Sequence, residues 1–408
     1  MNARRLHSAL VAIGLLVTVL ITGLLYARWT ESRYIHALAD RTFPSPVQGE
    51  SFSPDLTQAI EGSVLQAEAF RQPDLLPIYG SSELIWRSYQ GEFNGSQLFR
   101  DYPTGFALFP VGKPGTPPLV ILQDLAAIGR DLQGKKVAIS LSPSWLLHSS
   151  SDDHGFYAGN FSRLHAGELA FSTELSLDLK QAAARRMLQF PETLADDPLL
   201  KLALERLADG SPRSRVLYYA TLPLGKLENL VLRLQDHWET LALIRSQPDL
   251  DPDVPRQTGQ LDWSQLRSRA ERISRLVAGK RTRKTPAQPS PDLTREDDKF
   301  LQTVRQSTVW TDVDLLMRGL VELGARPLIL SQPLAGPYFD RLGVHQSVRD
   351  AFYGRFHEVT QPYGVPVVDF ADHDEDRYFV VDARSHLSAE GWLYYDEMLD
   401  AFYHGASG

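Results

Sequence analysis

The side chains that could carry out chemistry lie in two short segments near opposite ends of the 408-residue chain. The sequence contains no cysteine, which excludes thiolate nucleophiles, zinc–cysteine sites and iron–sulfur clusters. It also contains no HExxH or carboxylate-rich metal motif. A nucleophile supplied by the protein is therefore expected to be a serine that a histidine activates.

The first segment has the sequence GSSE at residues 80–83 and follows the apolar run 75–79. This pattern predicts a buried strand, a tight turn and the start of a helix. A serine at such a turn lies at the carboxyl edge of a sheet, where the helix N-terminus can stabilise an oxyanion. Gly-Ser-Ser alone is more often a helix-capping turn, and Glu83 is expected mainly to favour the helix N-terminus.

The second segment is YFVVDARSHLSAEGW at residues 378–392, in which a strand-like run ends in Asp382 and His386 precedes a helix. A nearby carboxylate can hold an imidazole in the tautomer that accepts a serine proton. An Asp-x-x-x-His spacing alone is common by chance. The combination of an early serine with a late Asp and His is similar to the chain order of the SGNH (GDSL-type) hydrolases.

The elements that must position these residues alternate between strand and helix. Besides 75–79, strands are expected within 105–112, 135–146, 325–336 and 363–371, and helices within 119–132 and 312–324. This alternation predicts an α/β fold with a mostly parallel sheet flanked by helices. Residues 165–243 are rich in Leu, Ala, Arg and Glu with helical periodicity and are expected to form a helical insertion.

The N-terminus carries a long apolar run. No charged residue lies between Arg5 and Arg28, and residues 9–26 are almost wholly apolar, which is long enough to span a bilayer. The run ends without a small-x-small cleavage site, so an uncleaved signal anchor is expected rather than a cleaved signal peptide or a buried helix. Because Arg4 and Arg5 precede the run, the N-terminus is expected in the cytoplasm and the remaining chain outside it, periplasmic or extracellular.

The composition describes an ordinary globular chain. Hydrophobic residues make up 43% and the net charge is −8, which excludes a fully disordered chain and argues against nucleic-acid binding. The basic, proline-rich run 279–292 is expected to be a solvated linker, with a contact to anionic lipid or polymer as the alternative. The expected division is an anchor (1–30), a connecting segment (31–70), a first part of the catalytic domain (71–164), a helical insertion with polar linker (165–295) and a second part (296–408).

Six segments in this order and spacing resemble the DltD family of D-alanyl-lipoteichoic acid biosynthesis proteins: YGSSEL, FPVGKPGT, LQGKKVAISLSPSWL, GNFSRLHAGELAF, SQPLAGPYFD and HLSAEGW. The resemblance extends from the apolar run to about Trp392. It implies an N-terminal membrane anchor followed by an extracytoplasmic SGNH-like domain.

The resemblance also implies roles for individual residues. Ser82 matches the nucleophile, with Ser81 as the alternative if the register differs by one, and His386 matches the catalytic histidine. Asp382 is the expected orienting acid. The usual SGNH pattern places the acid three residues before the histidine rather than four, so Asp376 or a backbone carbonyl stays open as an alternative.

The expected oxyanion donors are the backbone N–H of Ser82 and one N–H from the loop 112–116. Gly112 is preferred there because glycine permits close backbone approach. The usual SGNH block-three asparagine is absent, and SPSW at 142–145 stands in its place. Ser144 or Asn160 could supply a further donor, with reliance on backbone N–H groups alone as the open alternative. Trp145 is expected to be a pocket wall or a core contact.

The function that the resemblance implies is transfer of D-alanyl groups onto a cell-surface polymer through a D-alanyl-serine intermediate, by an SGNH-type serine acyltransferase or esterase. No metal or cofactor is implied. The implied partners are a D-alanyl carrier pathway and a membrane-bound O-acyltransferase (DltB-like). The alternatives are a hydrolytic esterase or thioesterase and a non-catalytic scaffold. A thioesterase conflicts with the expected topology, because the carrier is cytoplasmic.

Overall fold

The computed structural model describes residues 3–39, 61–85, 93–147, 153–247, 249–252, 258–281, 293–382 and 386–405. Two sequence predictions fall largely outside these residues: most of the connecting segment 31–70, from residue 40 to 60, and most of the basic run 279–292, from residue 282 onward.

A five-stranded sheet forms the centre of the fold. Every pair of neighbouring strands is parallel, and the strand order is β2-β1-β3-β4-β5. The strands are β1 Leu75–Tyr79, β2 Ala107–Val111, β3 Lys136–Leu141, β4 Arg326–Ser331 and β5 Val367–Val368. With helices on both faces of this sheet, the predicted α/β class is confirmed.

Helices connect and cover the strands. The helices before β4 are α1 Ala3–Leu38, α2 Ser63–Arg71, α3 Ser82–Ile85, α4 Gly95–Asp101, α5 Pro118–Ile128, α6 Pro143–Leu146, α7 Asp153–Asn160, α8 Arg163–Phe171, α9 Leu177–Met187, α10 Pro198–Asp209, α11 Pro212–Ser246, α12 Trp263–Arg281, α13 Leu293–Gln306 and α14 Val309–Glu322. After β4 come α15 Gly336–Leu342, α16 Gln346–Thr360 and α17 Ala389–His404.

Strands β1 to β4 are buried on both faces along nearly their whole length, as their near-continuous apolar sequences predict, whereas the two residues of β5 are half-buried. Because successive side chains point to opposite faces, Leu75 and Tyr79 of β1 join one apolar core, whereas Leu76 and Ile78 join the other. The first core also contains residues of α5, α8, α9, α14 and α16. The second contains residues of α4, α12 and α17.

The sequence predicted more strand near the C-terminus than the structure contains. The strand expected within 363–371 is only two residues long, and the strand-like run before Asp382 forms no strand of the sheet. That run folds back on the segment after it, with a single antiparallel bridge between Val380 and Leu387. The N–H of Val381 donates to the carbonyl of His386 at 2.8 Å. Backbone groups that bond within this loop are not available to extend the sheet.

The helical content of residues 165–243 is confirmed by helices α8 to α11. They pack on the main body of the fold: α8 contacts α5, α9 contacts α14, and α11 contacts α1, α2, α8 and α10. Part of the expected polar linker is also helical, since α12 packs against α17 and buries Leu266 and Ala270 in the second core. The predicted domain boundaries stay a prediction.

The N-terminal helix α1 is long and apolar enough to cross a membrane over its part Leu10–Leu38. Its apolar side chains in this stretch are largely exposed, among them Leu15, Leu16 and Val19. Within the described part of the chain it is the one helix that meets both conditions. This arrangement is consistent with a single-pass membrane anchor.

Candidate active site

The two chemically promising segments meet at the carboxyl edge of the sheet. The chain runs from β1 to β2 on one side and then to β3 on the other side of β1, so the direction in which strands are added reverses at β1. Ligand sites in open α/β sheets lie at such switch points. Gly80 follows β1 directly, and its N–H donates to the carbonyl of Val111 at the end of β2 at 3.0 Å. This bond fixes the turn that carries both serines.

Ser82, His386 and Asp382 form a continuous hydrogen-bonded chain. The Oγ of Ser82 lies 2.8 Å from Nε2 of His386, 304 positions away in sequence. Nδ1 of the same ring lies 2.8 Å from Oδ2 of Asp382, and the backbone N–H of His386 donates to Oδ1 of Asp382 at 3.3 Å. If Nδ1 of His386 carries the ring proton, it donates to the carboxylate of Asp382, and Nε2 then carries no proton and can accept the one from Ser82.

The structure distinguishes the two serines. Ser81 is buried, and its hydroxyl oxygen accepts N–H bonds from Gly115 at 3.0 Å and from the Trp145 indole at 3.2 Å. Ser82 is half-buried and directed at His386. The hydroxyl of Ser81, the alternative nucleophile, thus holds the neighbouring loop, whereas the hydroxyl of Ser82 lies beside the histidine that would act as the base.

The alternative acid lies elsewhere in the same loop. Asp376 accepts the backbone N–H of Tyr378 at 2.8 Å and lies 3.8 Å from Nδ1 of His373. The carboxylate that the structure brings to Nδ1 of His386 is that of Asp382. The four-residue spacing of Asp382 and His386 is therefore compatible with a triad geometry.

The predicted oxyanion loop lies against the serine turn at Gly112. Its φ is +133°, and a Cβ atom built there would lie 2.1 Å from the carbonyl oxygen of Gly80. A side chain at this position is therefore excluded on two grounds, backbone conformation and space. The close backbone approach at Gly112 is to Gly80, and the role of Gly112 as an oxyanion donor stays a prediction.

Asn160 holds this loop in place. Its Nδ2 donates to the carbonyl of Gly115 at 2.9 Å and to that of Phe156 at 2.8 Å, and its Oδ1 accepts the hydroxyl of Thr116 at 3.0 Å. Both amide hydrogens thus bond to main-chain carbonyls. The observed contacts fit a residue that positions the loop rather than one that donates to an oxyanion.

The SPSW segment forms the start of α6 beside the serine turn. Ser144 Oγ lies 2.9 Å from Ser142 Oγ, so the two hydroxyls pair with each other within this segment. Trp145 does more than line a wall: its indole N–H donates to Ser81, and its ring contacts Phe156 edge-on at a centroid distance of 4.5 Å. The tryptophan therefore joins the serine turn to α7.

Glu83 is buried directly behind the serine turn. Its Oε1 accepts the backbone N–H of Ser81 at 2.9 Å, so the side chain folds back over the turn. Burial raises the pKa of Glu83, and hydrogen bonds from Ser81 and Ser140 oppose this rise. The N-terminal position on α3 is as expected, and the contact with Ser81 adds a role in shaping the turn.

Lys113 is a cation near the site that the sequence analysis did not single out. It follows Gly112 in the loop, and burial lowers its pKa to about 8, a drop that the charge of Asp124 opposes. A lysine inside the Gly/Pro run GKPG was the available signal. Among the described residues, no cluster of three or more His, Asp or Glu could hold a metal ion.

Comparison with known proteins identifies the family of this chain. A family model described as DltD protein matches residues 55–404. The chain belongs to the DltD family.

Two DltD relatives match most of the chain. Protein DltD of Bacillus subtilis (strain 168) is 28% identical over 351 residues, covering 84% of this chain and 86% of that protein. Protein DltD of Staphylococcus aureus (strain NCTC 8325 / PS 47) is 25% identical over 348 residues, 84% of each.

The resemblance found in the sequence is thereby confirmed. Membership of the DltD family supports a role in the D-alanylation of teichoic acids in general. The matched residues extend from before β1 to the end of α17, so both Ser82 and His386 lie within the part of the chain that the family shares.

Proposed function

We propose that this protein is a membrane-anchored, extracytoplasmic serine O-acyltransferase that places D-alanyl groups on a cell-surface polymer. The observation that carries the proposal is the contact of 2.8 Å between Ser82 Oγ and His386 Nε2, with Asp382 on the other ring nitrogen. Family membership supports D-alanyl as the transferred group, and this geometry supports nucleophilic attack by a serine.

In the first half-reaction, a D-alanyl ester binds with its carbonyl carbon against Ser82. His386 Nε2 takes the hydroxyl proton as Ser82 Oγ attacks that carbon. The bond to the leaving oxygen then breaks, and His386 returns the proton to that oxygen. An O-D-alanyl-Ser82 ester remains, and Asp382 stabilises the imidazolium that forms between the two proton transfers.

The charge on the carbonyl oxygen needs donors in this step. The proposed donors are the backbone N–H groups of Ser82, at the start of α3, and of Gly112. Each lies in a part of the backbone that is fixed by a neighbour, Gly80 against Gly112 and Glu83 against the turn. Preorganised donors of this kind lower the barrier because they need not reorient during reaction.

In the second half-reaction, a polymer hydroxyl gives its proton to His386 and attacks the acyl carbon. Ser82 leaves and regains the proton, which restores the enzyme. One ester replaces another, so no nucleotide or redox cofactor is consumed. Water in place of the polymer would give the hydrolase alternative with the same residues.

Because Arg4 and Arg5 precede the apolar run, the N-terminus would lie in the cytoplasm, and the anchor helix α1 would hold this reaction at the extracytoplasmic surface of the membrane. We further propose that the acyl group arrives through the D-alanyl carrier pathway and a membrane-bound O-acyltransferase. A scaffold without chemistry would have no need of a serine, histidine and aspartate in mutual hydrogen-bonding distance.

The test is Ser82→Ala in cells that lack the native copy, with alkali-labile D-alanine at the cell surface as the readout. We expect surface D-alanyl ester to fall to the level of cells without the gene, while immunoblots of the membrane fraction show a normal amount of protein. A normal ester content with stably present Ser82→Ala protein would refute the catalytic proposal. Fluorophosphonate should label the native protein on Ser82.

A further inference from the structure

Up to Trp238, helix α11 exposes its apolar side and buries its polar side, and only its last two turns bury apolar residues such as Leu243 and Ile244. The residues on its buried side include Tyr218, Thr221, Asn229 and Asp236. The opposite side presents what we call the α11 apolar face, whose six members are each more than half exposed: Val216, Leu224, Leu227, Leu230, Val231 and Trp238. This distribution is the reverse of the one that a helix on a water-facing surface shows.

Hydrogen bonds on the buried side fix this rotation of the helix. The Tyr218 hydroxyl donates to the carbonyl of Ala170 at 2.7 Å. The carboxylate of Asp236 accepts the backbone N–H groups of Gly62 and Val64 at 3.0 and 2.9 Å, at the start of α2. Turning the helix to bury its apolar face would break these bonds, so the exposure belongs to the folded state.

The α11 apolar face is continuous. At 100° per residue its six members fall within about one third of the helix circumference, and they extend over about 33 Å of helix length. Scattered exposed apolar residues are normal in soluble proteins. A contiguous apolar strip of this length instead marks a surface that a membrane or another protein covers.

Contact with α1 brings the C-terminal part of α11 close to the end of the apolar run. His237 Nδ1 lies 2.6 Å from Glu31 Oε1, and both side chains are buried between the helices. Glu31 comes three residues after Arg28, the first charged residue beyond the apolar run, which is about 4.5 Å along a helix. Trp238, next to His237, is exposed where an interfacial aromatic residue is favourable.

The exposed charges of α11 are all basic. Arg213, Arg215, Lys226 and Arg245 are exposed, whereas the acidic residues of this helix are buried or half-buried. The whole chain, in contrast, carries a net charge of −8. Exposed cations together with an apolar face are the composition of helices that lie in the interface of an anionic bilayer.

We propose that α11 lies in the plane of the bilayer surface from which α1 emerges, with its apolar face in the boundary between headgroups and acyl chains. The domain is then held by two elements, one across the membrane and one along it. Lipid is favoured over a protein partner because the face begins beside the point where α1 leaves the apolar layer. A spanning helix alone would let the domain swing, whereas this second contact sets the orientation of the Ser82 site relative to the membrane.

The absence of native cysteine allows a direct test with single spin labels on the full-length protein. Nitroxides at Leu224→Cys, Leu227→Cys and Val231→Cys would be examined in vesicles of phosphatidylglycerol and phosphatidylcholine. Collision rates with oxygen, which concentrates in lipid, and with a water-soluble nickel chelate give the environment of each label. Val19→Cys on α1 is the lipid reference.

Matched water-facing controls are Leu276→Cys on α12 and Val321→Cys on α14, whose side chains are as exposed as the α11 apolar face. We expect the α11 labels to show the high oxygen and low nickel accessibility of Val19→Cys. Nickel accessibility equal to that of Leu276→Cys would overturn the proposal, because the face would then lie in water. Low accessibility to both reagents would also overturn it, because a second copy would then cover the face.

Discussion

The adjacent hydroxyls of Ser81 and Ser82 have different environments because a strand-to-helix turn points consecutive side chains in different directions. Ser81 is directed into the loop, where Gly115 and Trp145 donate to it. Ser82 is directed at His386. The first hydroxyl is suited to holding the loop, and the second is suited to attack on a substrate.

The role proposed for Asp382 predicts a strong effect of Asp382→Asn. The amide oxygen can keep the bond to the backbone N–H of His386, which leaves the amide NH₂ facing Nδ1. The ring proton is then driven to Nε2, where it blocks acceptance of the Ser82 proton. We expect fluorophosphonate labelling of Ser82 to slow by roughly 10³- to 10⁴-fold.

Asp376→Asn is the matched control for this substitution. Asp376 accepts the N–H of Tyr378 in the same loop and has no contact with Nδ1 of His386 among the bonds described. Its replacement should leave the labelling rate within a few-fold of the native value. Equal slowing by both variants would show that the loop as a whole, and not the carboxylate of Asp382, matters.

At the scale of elements, the site depends on the close approach of two turns, one after β1 and one after β2. Gly80 and Gly112 are the residues in contact, and Gly80 N–H also bonds to the last residue of β2. The turn after β1 carries the nucleophile, and the turn after β2 carries the proposed oxyanion donor. Their spacing therefore sets the geometry of both functions.

Gly112→Ala tests this contact. The new Cβ would lie 2.1 Å from the Gly80 carbonyl oxygen, so one turn must move. We expect a loss of about 2–4 kcal/mol in the free energy of unfolding, measured by denaturant titration, and loss of fluorophosphonate labelling.

Gly134→Ala is the control that measures the cost of the backbone conformation without the cost of a close approach. Gly134 also has a positive φ, +72°, but nothing lies within 4 Å of its Cβ position. The expected cost is therefore only the conformational one, about 1 kcal/mol, with labelling retained. If the two variants behaved alike, the contact with Gly80 would not be the reason for glycine at 112.

At the scale of the whole molecule, the helical layer α8 to α11 and the sheet share one apolar core. A buried ion pair also links this layer to α14, the helix that leads into β4: Arg186 on α9 donates to both carboxylate oxygens of Asp312, at 2.8 and 3.0 Å. These contacts lead us to expect that the insertion and the sheet unfold together.

Arg186→Met tests this cooperativity. It leaves the buried carboxylate of Asp312 without its guanidinium, which should cost about 3–5 kcal/mol. Thermal unfolding, followed by circular dichroism, should remain a single transition at a lower Tm. Fluorophosphonate labelling of Ser82 should be lost in that same transition. Unfolding in two steps, with labelling kept after the first, would instead show an independent helical unit.

Arg130→Met is the surface counterpart. Arg130 pairs with Glu174 at 2.8 Å, but its side chain is 82% exposed. Exposed pairs contribute about 0–1 kcal/mol, so the Tm should hardly change. The comparison distinguishes a buried link between layers from a general loss of positive charge.

Several features of this protein are encoded by residues that are neighbours in the sequence. The apolar run 75–79 followed by GSSE was enough for the strand, turn and helix start, and alternating strands and helices were enough for a parallel sheet. The long uncharged run determined α1. The closeness of Asp382 and His386 also follows from their four-residue separation. Local propensity, hydrophobic periodicity and chain connectivity are sufficient for each of these.

Contacts between groups that are distant in sequence depend on tertiary packing. Ser82 and His386 are 304 positions apart, and their contact depends on how the sheet, α3 and the loop before α17 pack together. The choices of Ser82 over Ser81 and Asp382 over Asp376, the loop contacts of Asn160 and the rotation of α11 have the same origin. Each depends on which face of an element is buried, and that is set by the summed free energy of many long-range contacts rather than by local sequence.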